Sequence, residues 1–102
     1  MFTVEAARRI GRSPTVNALH PGVVSTKLLT EGFGVQGPDS LAKGAATSVR
    51  LALDEDVANT TGGYFSDGRP ARTHPAVADA ALLRQLYERT AAMTGTDPLP
   101  AG

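Results

Sequence analysis

The sequence contains no cysteine, and this absence excludes several classes of protein. Without thiols the chain can form neither a disulfide framework nor a thiolate metal site, and this composition fits a reducing compartment. We therefore expect a cytoplasmic location. The chain also lacks any apolar run near the roughly 20 residues of a membrane-spanning helix, so no membrane span is expected.

Net charge is also lacking, because ten Lys and Arg residues balance ten Asp and Glu residues. A neutral chain has no electrostatic drive toward nucleic acid or an anionic membrane, so no nucleic-acid partner is expected. The cluster of Arg8, Arg9 and Arg12 fits a solvated face near a helix end. A length of 102 residues allows one small domain with a modest core.

Apolar spacing predicts the first helix and two strands. Phe2, Ala6 and Ile10 recur every fourth residue, which predicts an amphipathic helix ended by Gly11. Short apolar stretches bounded by Pro and Gly predict strands over residues 15–19 and 63–66. The dipeptide Asp67-Gly68 ends the second strand, with Asp67 either a turn residue or a contact to a neighbouring segment.

Two further helices are predicted. The second covers residues 40–53 and is capped by Asp39 or Ser40. One apolar stripe of this helix carries residues spaced four apart: Leu41, Ala45, Val49 and Leu53. Pro75 suits the first turn of the last helix. The apolar side of that helix is formed by Leu82, Leu83, Leu86, Tyr87 and Met93.

The element order is therefore helix-strand-loop-helix-strand-helix, which is an α/β pattern. Two strands joined through a helix form one crossover of a parallel sheet. Two parallel strands alone leave open edges, and parallel sheets normally need helices on both faces. We therefore expect the chain to be the end of a larger α/β domain.

The glycines at Gly32, Gly34 and Gly37 have the G-x-G-x-x-G spacing of a dinucleotide-binding turn. The fingerprint needs a buried strand before its first glycine, and residues 27–31 lack the β-branched run of such a strand. A ribose-binding carboxylate would have to come from Asp54–Asp56, at a helix end. A glycine-rich substrate loop or lid is the better interpretation.

The segment TVNALHPGVVST, residues 15–26, carries a second candidate site. Pro21-Gly22 turns the chain off the carboxyl end of a strand, where open α/β sheets bind ligands. Backbone groups released there can face a flat, amide-bearing ligand, and Thr26 adds a hydroxyl. His20 is open to two interpretations, as a neighbour of this ligand or as a packing residue.

This segment resembles the short-chain dehydrogenase/reductase family. Asn17, Pro21-Gly22 and Thr26 match the family segment N-x-x-x-P-G-x-V-x-T. Together with GGYFSDGRPA and LLRQLYERTAAMTG, it looks closest to the retinol-dehydrogenase-like and protochlorophyllide-reductase-like branch. The resemblance implies that residues 1–94 are the C-terminal portion of a doubly wound parallel-sheet Rossmann domain and that residues 95–102 are a flexible tail.

The resemblance also implies a cofactor, NAD or NADP, and roles for four residues. Pro21 and Gly22 would pack beside the nicotinamide ring, the Val24 backbone would pair with the carboxamide, and the Thr26 hydroxyl would bond the carboxamide or a phosphate. Residues 27–37 would form the substrate loop, whose named members are Lys27, Leu28, Leu29 and Phe33. The implied substrate is a small apolar carbonyl or alcohol, and the family implies a homo-oligomer.

The family's nucleotide turn T-G-x-x-x-G-x-G, its catalytic serine and its Tyr-x-x-x-Lys pair are missing from this sequence. Its two lysines are Lys27 and Lys43, and neither has a tyrosine four positions earlier. No catalytic residue is assigned. No metal ligand set is assigned either, because His20 and His74 match no metal spacing.

The expected function is therefore that of a C-terminal fragment of an NAD(P)-dependent short-chain oxidoreductase, inactive as a single chain. A shortened gene model with an internal methionine at its start would explain the missing half. Two alternatives stay open: a non-catalytic interaction module that pairs with related subunits, and a non-functional truncated gene product.

Overall fold

The computed structural model describes residues 1–22 and 40–101, and these contain three helices and three short strands. The elements are α1 (Phe2–Ile10), β1 (Ala18–His20), α2 (Leu41–Leu53), β2 (Tyr64–Ser66), β3 (Arg69–Pro70) and α3 (Ala80–Thr94). Short 3-10 turns at Glu55–Val57 and Pro75–Ala78 precede β2 and α3. The last helix thus begins at Ala80, and Pro75 instead opens the 3-10 turn before it.

The strands form one mixed sheet in the order β1-β2-β3. The Gly62 N–H donates to the Val16 carbonyl at 2.7 Å, and the Ala18 N–H donates to the Gly63 carbonyl at 2.9 Å. Both partners advance along the chain together, so these segments run parallel. The predicted parallel pairing of the two strands, with α2 between them in the sequence, is confirmed.

Strand β3 was missed by the sequence analysis, which ended the strand region at Asp67-Gly68. Asp67 and Gly68 both have positive φ, 52° and 74°, and they form a two-residue hairpin. Ser66 pairs with Arg69 directly across it, antiparallel. An Asp-Gly pair is a strong hairpin signal, because both central residues of a type I′ turn need positive φ. The turn role of Asp67 is confirmed.

The chain divides into two compact units. The first unit comprises Met1–Ala18, Asn59–Tyr64 and Arg72–Gly102. In it α1 packs against α3, and the core includes Ala6, Ala7, Leu83, Tyr87 and Ala91. The Phe2 ring stacks on the Tyr87 ring at 4.9 Å between centroids. Of the predicted apolar side of the last helix, Leu83 and Tyr87 are buried, whereas Met93 is 80% exposed.

A buried charge cluster holds α1 within this unit. Glu5 is 1% exposed, and its carboxylate accepts from Arg8 Nη2 and from Arg9 Nε at 2.7 Å each. The Arg9 guanidinium also lies 4.3 Å from the centre of the Tyr87 ring. The prediction of a solvated arginine face is therefore wrong for Arg9, because Glu5, one turn earlier, is buried and needs a buried cation.

Helix α3 ends at Gly95, whose left-handed φ of 68° closes the helix. Beyond it, Arg8 Nη1 donates to the Ala101 carbonyl and Arg9 Nη1 donates to the Leu99 carbonyl. These bonds attach the segment after α3 to the buried charge cluster. The division into a domain over 1–94 and a flexible tail over 95–102 stays a prediction.

The second unit comprises Leu19–Ala58 and Phe65–Ala71, with Val57 and Phe65 in its core. Ser40 caps α2 by accepting from the Lys43 N–H at 3.1 Å, as one of the two predicted caps. The apolar stripe of α2 faces outward, since Leu41 is 67% exposed and Leu53 is 76% exposed.

The inward face of α2 is polar and holds the β2–β3 hairpin. Thr47, 4% exposed, accepts the Gly68 N–H on its hydroxyl at 2.8 Å. Arg50 Nε donates to the Gly68 carbonyl at 2.7 Å. The Gly68 N–H and the Gly68 carbonyl are therefore both hydrogen-bonded to α2 side chains. These hydrogen bonds favour packing of the hairpin on the polar face of α2 over packing on the apolar stripe.

Candidate functional site

The candidate site begins where β1 ends. Strand β1 finishes at His20, and Pro21 follows it directly. Gly22 has a φ of 84°, the left-handed conformation that glycine adopts without steric cost. Strand β1 thus ends directly before Pro21-Gly22, as the Pro-Gly pair predicted; the sharp turn at this pair stays a prediction.

Strand β1 starts later than predicted, at Ala18 instead of residue 15, and it includes His20. The reason is that side-chain hydrogen bonds interrupt the ladder at Val16 and Asn17. Val16 N–H donates to the Thr61 hydroxyl at 3.0 Å, so the regular ladder begins only at Ala18.

Asn17 is the residue that fixes the start of β1. Its Nδ2 donates to the Thr60 carbonyl at 2.8 Å, and its Oδ1 accepts the Gly63 N–H at 2.9 Å. One side chain thus bridges both ends of the segment that leads into β2. The sequence analysis noted Asn17 only as part of the family pattern and missed this anchoring. An amide carries both a donor and an acceptor, and this bridge needs both.

The other predicted site residues lie outside the described residues. For the cofactor these are Val24 and Thr26. For the substrate loop they are Lys27, Leu28, Leu29 and Phe33. The glycines of the G-x-G-x-x-G spacing, Gly32, Gly34 and Gly37, lie there as well.

The acidic residues after α2 have a structural role. Arg50 Nη1 lies 2.8 Å from Asp54 Oδ2, and Arg50 Nη2 lies 3.1 Å from Asp56 Oδ2. Hydrogen bonds to Asp56 and then Asp54 raise the pKa of the Arg50 guanidinium. These two carboxylates are therefore neutralised by the arginine that also binds the hairpin, and they do not have the strand-end position of a ribose ligand.

The two histidines occupy different environments. His20 is exposed at the end of β1. His74 is exposed and caps the 3-10 turn Pro75–Ala78, with its Nδ1 accepting the Ala76 N–H at 3.0 Å. Within residues 1–22 and 40–101, no group of three or more His, Asp or Glu side chains is placed to hold a metal ion.

No helix in the described segments combines the length and the apolar character that crossing a membrane requires.

Curated proteins similar to this chain are dehydrogenases and ketoreductases. Retinol dehydrogenase 14 of Mus musculus is 33% identical over 111 residues, covering 93% of this chain and 32% of the relative. Retinol dehydrogenase 13 of Homo sapiens is 32% identical over 112 residues, covering 95% of this chain and 34% of the relative. The putative daunorubicin C-13 ketoreductase DnrU of Streptomyces sp. (strain C5) is 39% identical over 104 residues, covering 93% and 35%.

The chain thus spans about a third of the length of the curated relatives it matches. No family model matches the sequence. No solved structure matches it either.

Proposed function

Because this chain belongs to the short-chain dehydrogenase/reductase family and is related to its retinol-dehydrogenase branch, we propose that it is the C-terminal portion of the Rossmann domain of an NAD(P)-dependent oxidoreductase. Its role in that enzyme is to supply the nicotinamide-side contacts and the substrate loop. The observation that carries this proposal is the position of Pro21 and the left-handed Gly22 directly after the carboxyl end of β1, a strand that pairs in parallel with the next one.

The Pro21-Gly22 pair suits the nicotinamide end of the cofactor. Pro21 is exposed, and Gly22, with its left-handed φ, has no side chain, so a flat ring can approach the backbone closely. In the proposal the Val24 backbone and the Thr26 hydroxyl hold the carboxamide. When bound, the cofactor supplies the hydride that is exchanged with substrate.

The proposed substrate is a small apolar carbonyl or alcohol. The relatives' names indicate an alcohol in the retinol dehydrogenases and a ketone in the ketoreductase. In this chain the substrate would meet the loop side chains Lys27, Leu28, Leu29 and Phe33, three of which are apolar.

The chain alone is expected to be inactive. It contains no Tyr-x-x-x-Lys pair to supply the proton and no glycine turn of the T-G-x-x-x-G-x-G type to hold the pyrophosphate. A few hydrogen bonds from Pro21–Gly22 and Thr26, at about 1 kcal/mol each, barely offset the entropy lost on association. Calorimetric titration of the chain with NADH and NADPH should therefore give a dissociation constant weaker than about 1 mM, and a low-micromolar value would contradict this expectation.

A hybrid enzyme tests the positive part of the proposal. The hybrid is retinol dehydrogenase 14 in which this chain replaces the segment that aligns with it. Its oxidation of NADH and NADPH with a carbonyl substrate is then measured. We expect activity, and we expect Thr26→Ala to raise the cofactor KM about tenfold, since one hydrogen bond to the carboxamide is lost. Ser48→Ala, which removes an exposed hydroxyl of α2 outside the proposed site, should leave it unchanged. Equal effects of the two substitutions would overturn the assignment of Thr26.

A non-catalytic interaction module is the second candidate function, and the outward stripe of α2 favours it. Leu41, Val49 and Leu53 are 67%, 53% and 76% exposed, and such a row of apolar side chains is typical of a contact surface. An inactive hybrid enzyme, together with a stable complex between this chain and a family subunit in size-exclusion chromatography, would favour this candidate over the first.

A further inference from the structure

The first unit contains a groove of about 380 Å³ that the proposed cofactor site does not use. It is lined by the start of α1, the first residue of β1, residues 62–64 before and at the start of β2, and residues 72–77. All of the described residues that line it belong to the first unit. None of them lies in the segment 21–26 to which the nicotinamide contacts are assigned.

The groove is lined by both apolar and basic side chains. Val4, Ala18 and Val77 contribute aliphatic surface. Arg72 and His74 supply the basic groups, and no Asp or Glu is found among the described residues that line the groove. A ligand that satisfies this lining therefore has an apolar body and a negative charge at one end.

Three backbone amides at the groove already have partners. The N–H groups of Ala18, Gly62 and Gly63 donate to Gly63, Val16 and Asn17 respectively. Because His74 Nδ1 accepts the Ala76 N–H, the neutral imidazole carries its proton on Nε2 and offers a donor there.

Arg72 is the group best suited to bind the charge. No ion pair or hydrogen bond engages its guanidinium within residues 1–22 and 40–101. Its planar fork can bind both oxygens of a carboxylate at once. The hydroxyls of Thr3 and Thr73, which also line the groove, add donors of the kind a carboxylate accepts.

We propose that this groove binds a small monocarboxylate with an apolar body, with Arg72 and the His74 Nε2–H on the carboxylate and Val4, Ala18 and Val77 on the body. The volume supports a small ligand, since it lies near the lower end of the roughly 300–1,000 Å³ of small-molecule sites. Binding of this ligand is independent of the cofactor and of the oxidoreductase assignment.

Hexanoate is the probe that tests the proposal on the whole chain, with chemical shifts of the His74 ring and the Tyr64 ring followed by NMR. We expect saturable binding with a dissociation constant of about 1 mM or tighter. Acetate keeps the charge without the apolar body, so it loses the burial of the alkyl chain. 1-Hexanol keeps the body without the charge, so it loses the charge-assisted hydrogen bond. Each should bind at least about tenfold more weakly than hexanoate.

Arg72→Ala should weaken hexanoate binding at least about tenfold, the equivalent of one charge-assisted hydrogen bond. Arg84→Ala is the matched control, because Arg84 is an exposed arginine of α3 in the same unit that does not line the groove, and it should change the constant less than twofold. Both positions are exposed, so circular dichroism should show both variants folded. Equal effects of the two substitutions, hexanoate no tighter than acetate or 1-hexanol, or no saturable shift in the millimolar range would overturn the proposal.

Discussion

The Asn17 side chain accepts the Gly63 backbone N–H at 2.9 Å and so ties the start of β1 to the start of β2. Its amide nitrogen is bonded at the same time to the Thr60 carbonyl at 2.8 Å. This bridge therefore sets where β1 begins in the ladder.

Asn17→Ala should lower the free energy of unfolding by about 1–3 kcal/mol, because the Gly63 N–H and the Thr60 carbonyl both lose their partner. Asn59→Ala is the matched control: Asn59 is exposed in the turn before β2, and no side-chain hydrogen bond of it is found among the described residues. Urea unfolding of both variants measures the difference. Equal losses would mean that the bridge does not hold in solution.

The buried charge cluster predicts how stability depends on pH. Hydrogen bonds from Arg8, supported by Arg9 and opposed by burial, lower the pKa of Glu5 from 4.5 to about 2. Between these values the unfolded chain binds a proton that the folded chain does not, so lowering the pH favours unfolding. The contribution of Glu5 is complete above about pH 4.5 and is lost as the pH falls toward 2.

Glu5→Gln should remove this part of the pH dependence, and it should also destabilise the chain by about 3 kcal/mol at pH 7, because Arg9 loses its buried counter-charge. Glu88→Gln is the comparison, since the Glu88 side chain is 52% exposed and lies 3.4 Å from Arg9; about 0.5 kcal/mol is expected there. Thermal unfolding recorded from pH 7 to pH 2 shows whether the slope disappears in the first variant. An unchanged slope in Glu5→Gln would contradict the pKa assignment.

The hairpin between β2 and β3 depends on one hydroxyl. Thr47→Val has nearly the same shape but leaves the Gly68 N–H, now bonded to Thr47 Oγ1 at 2.8 Å, without its acceptor, so a loss of about 1–2 kcal/mol is expected. Thr47→Ser keeps the hydroxyl and should recover most of that loss. Urea unfolding of the two variants decides the point, and a less stable serine variant would show that the methyl group matters more than the hydrogen bond.

Local signals made several elements predictable. Helix α1 was predicted with its observed ends, because the signals that define it are local. Its apolar residues recur every fourth position, and Gly11 follows the last of them directly. The parallel pairing was predictable because a helix separates the two strands in the sequence. The end of β1 was predictable because a Pro-Gly pair rarely continues a strand.

Long-range choices were not predictable in the same way. Nothing near Glu5 in the sequence indicates that Tyr87, on a helix far along the chain, covers its partner Arg9. Likewise, an apolar stripe such as that of α2 ordinarily predicts a buried face. In the structure the Gly68 N–H and carbonyl are instead bonded to Thr47 and Arg50, on the other face of the helix. Hydrogen-bond requirements of a distant turn therefore decided the orientation of the helix.

Two leucines provide the direct test of that orientation. Leu83 is 5% exposed in the core of the first unit, whereas Leu53 is 76% exposed at the end of the α2 stripe. Leu83→Ala removes buried methyl groups and leaves a cavity, so it should lower the free energy of unfolding by about 2–5 kcal/mol. Leu53→Ala removes the same atoms from a position in contact with water, and it should change that free energy by no more than about 0.5 kcal/mol. Urea unfolding at several protein concentrations measures both. A loss at Leu53 that matches the loss at Leu83, and that grows with protein concentration, would mean that the stripe is covered in solution by another copy of the chain.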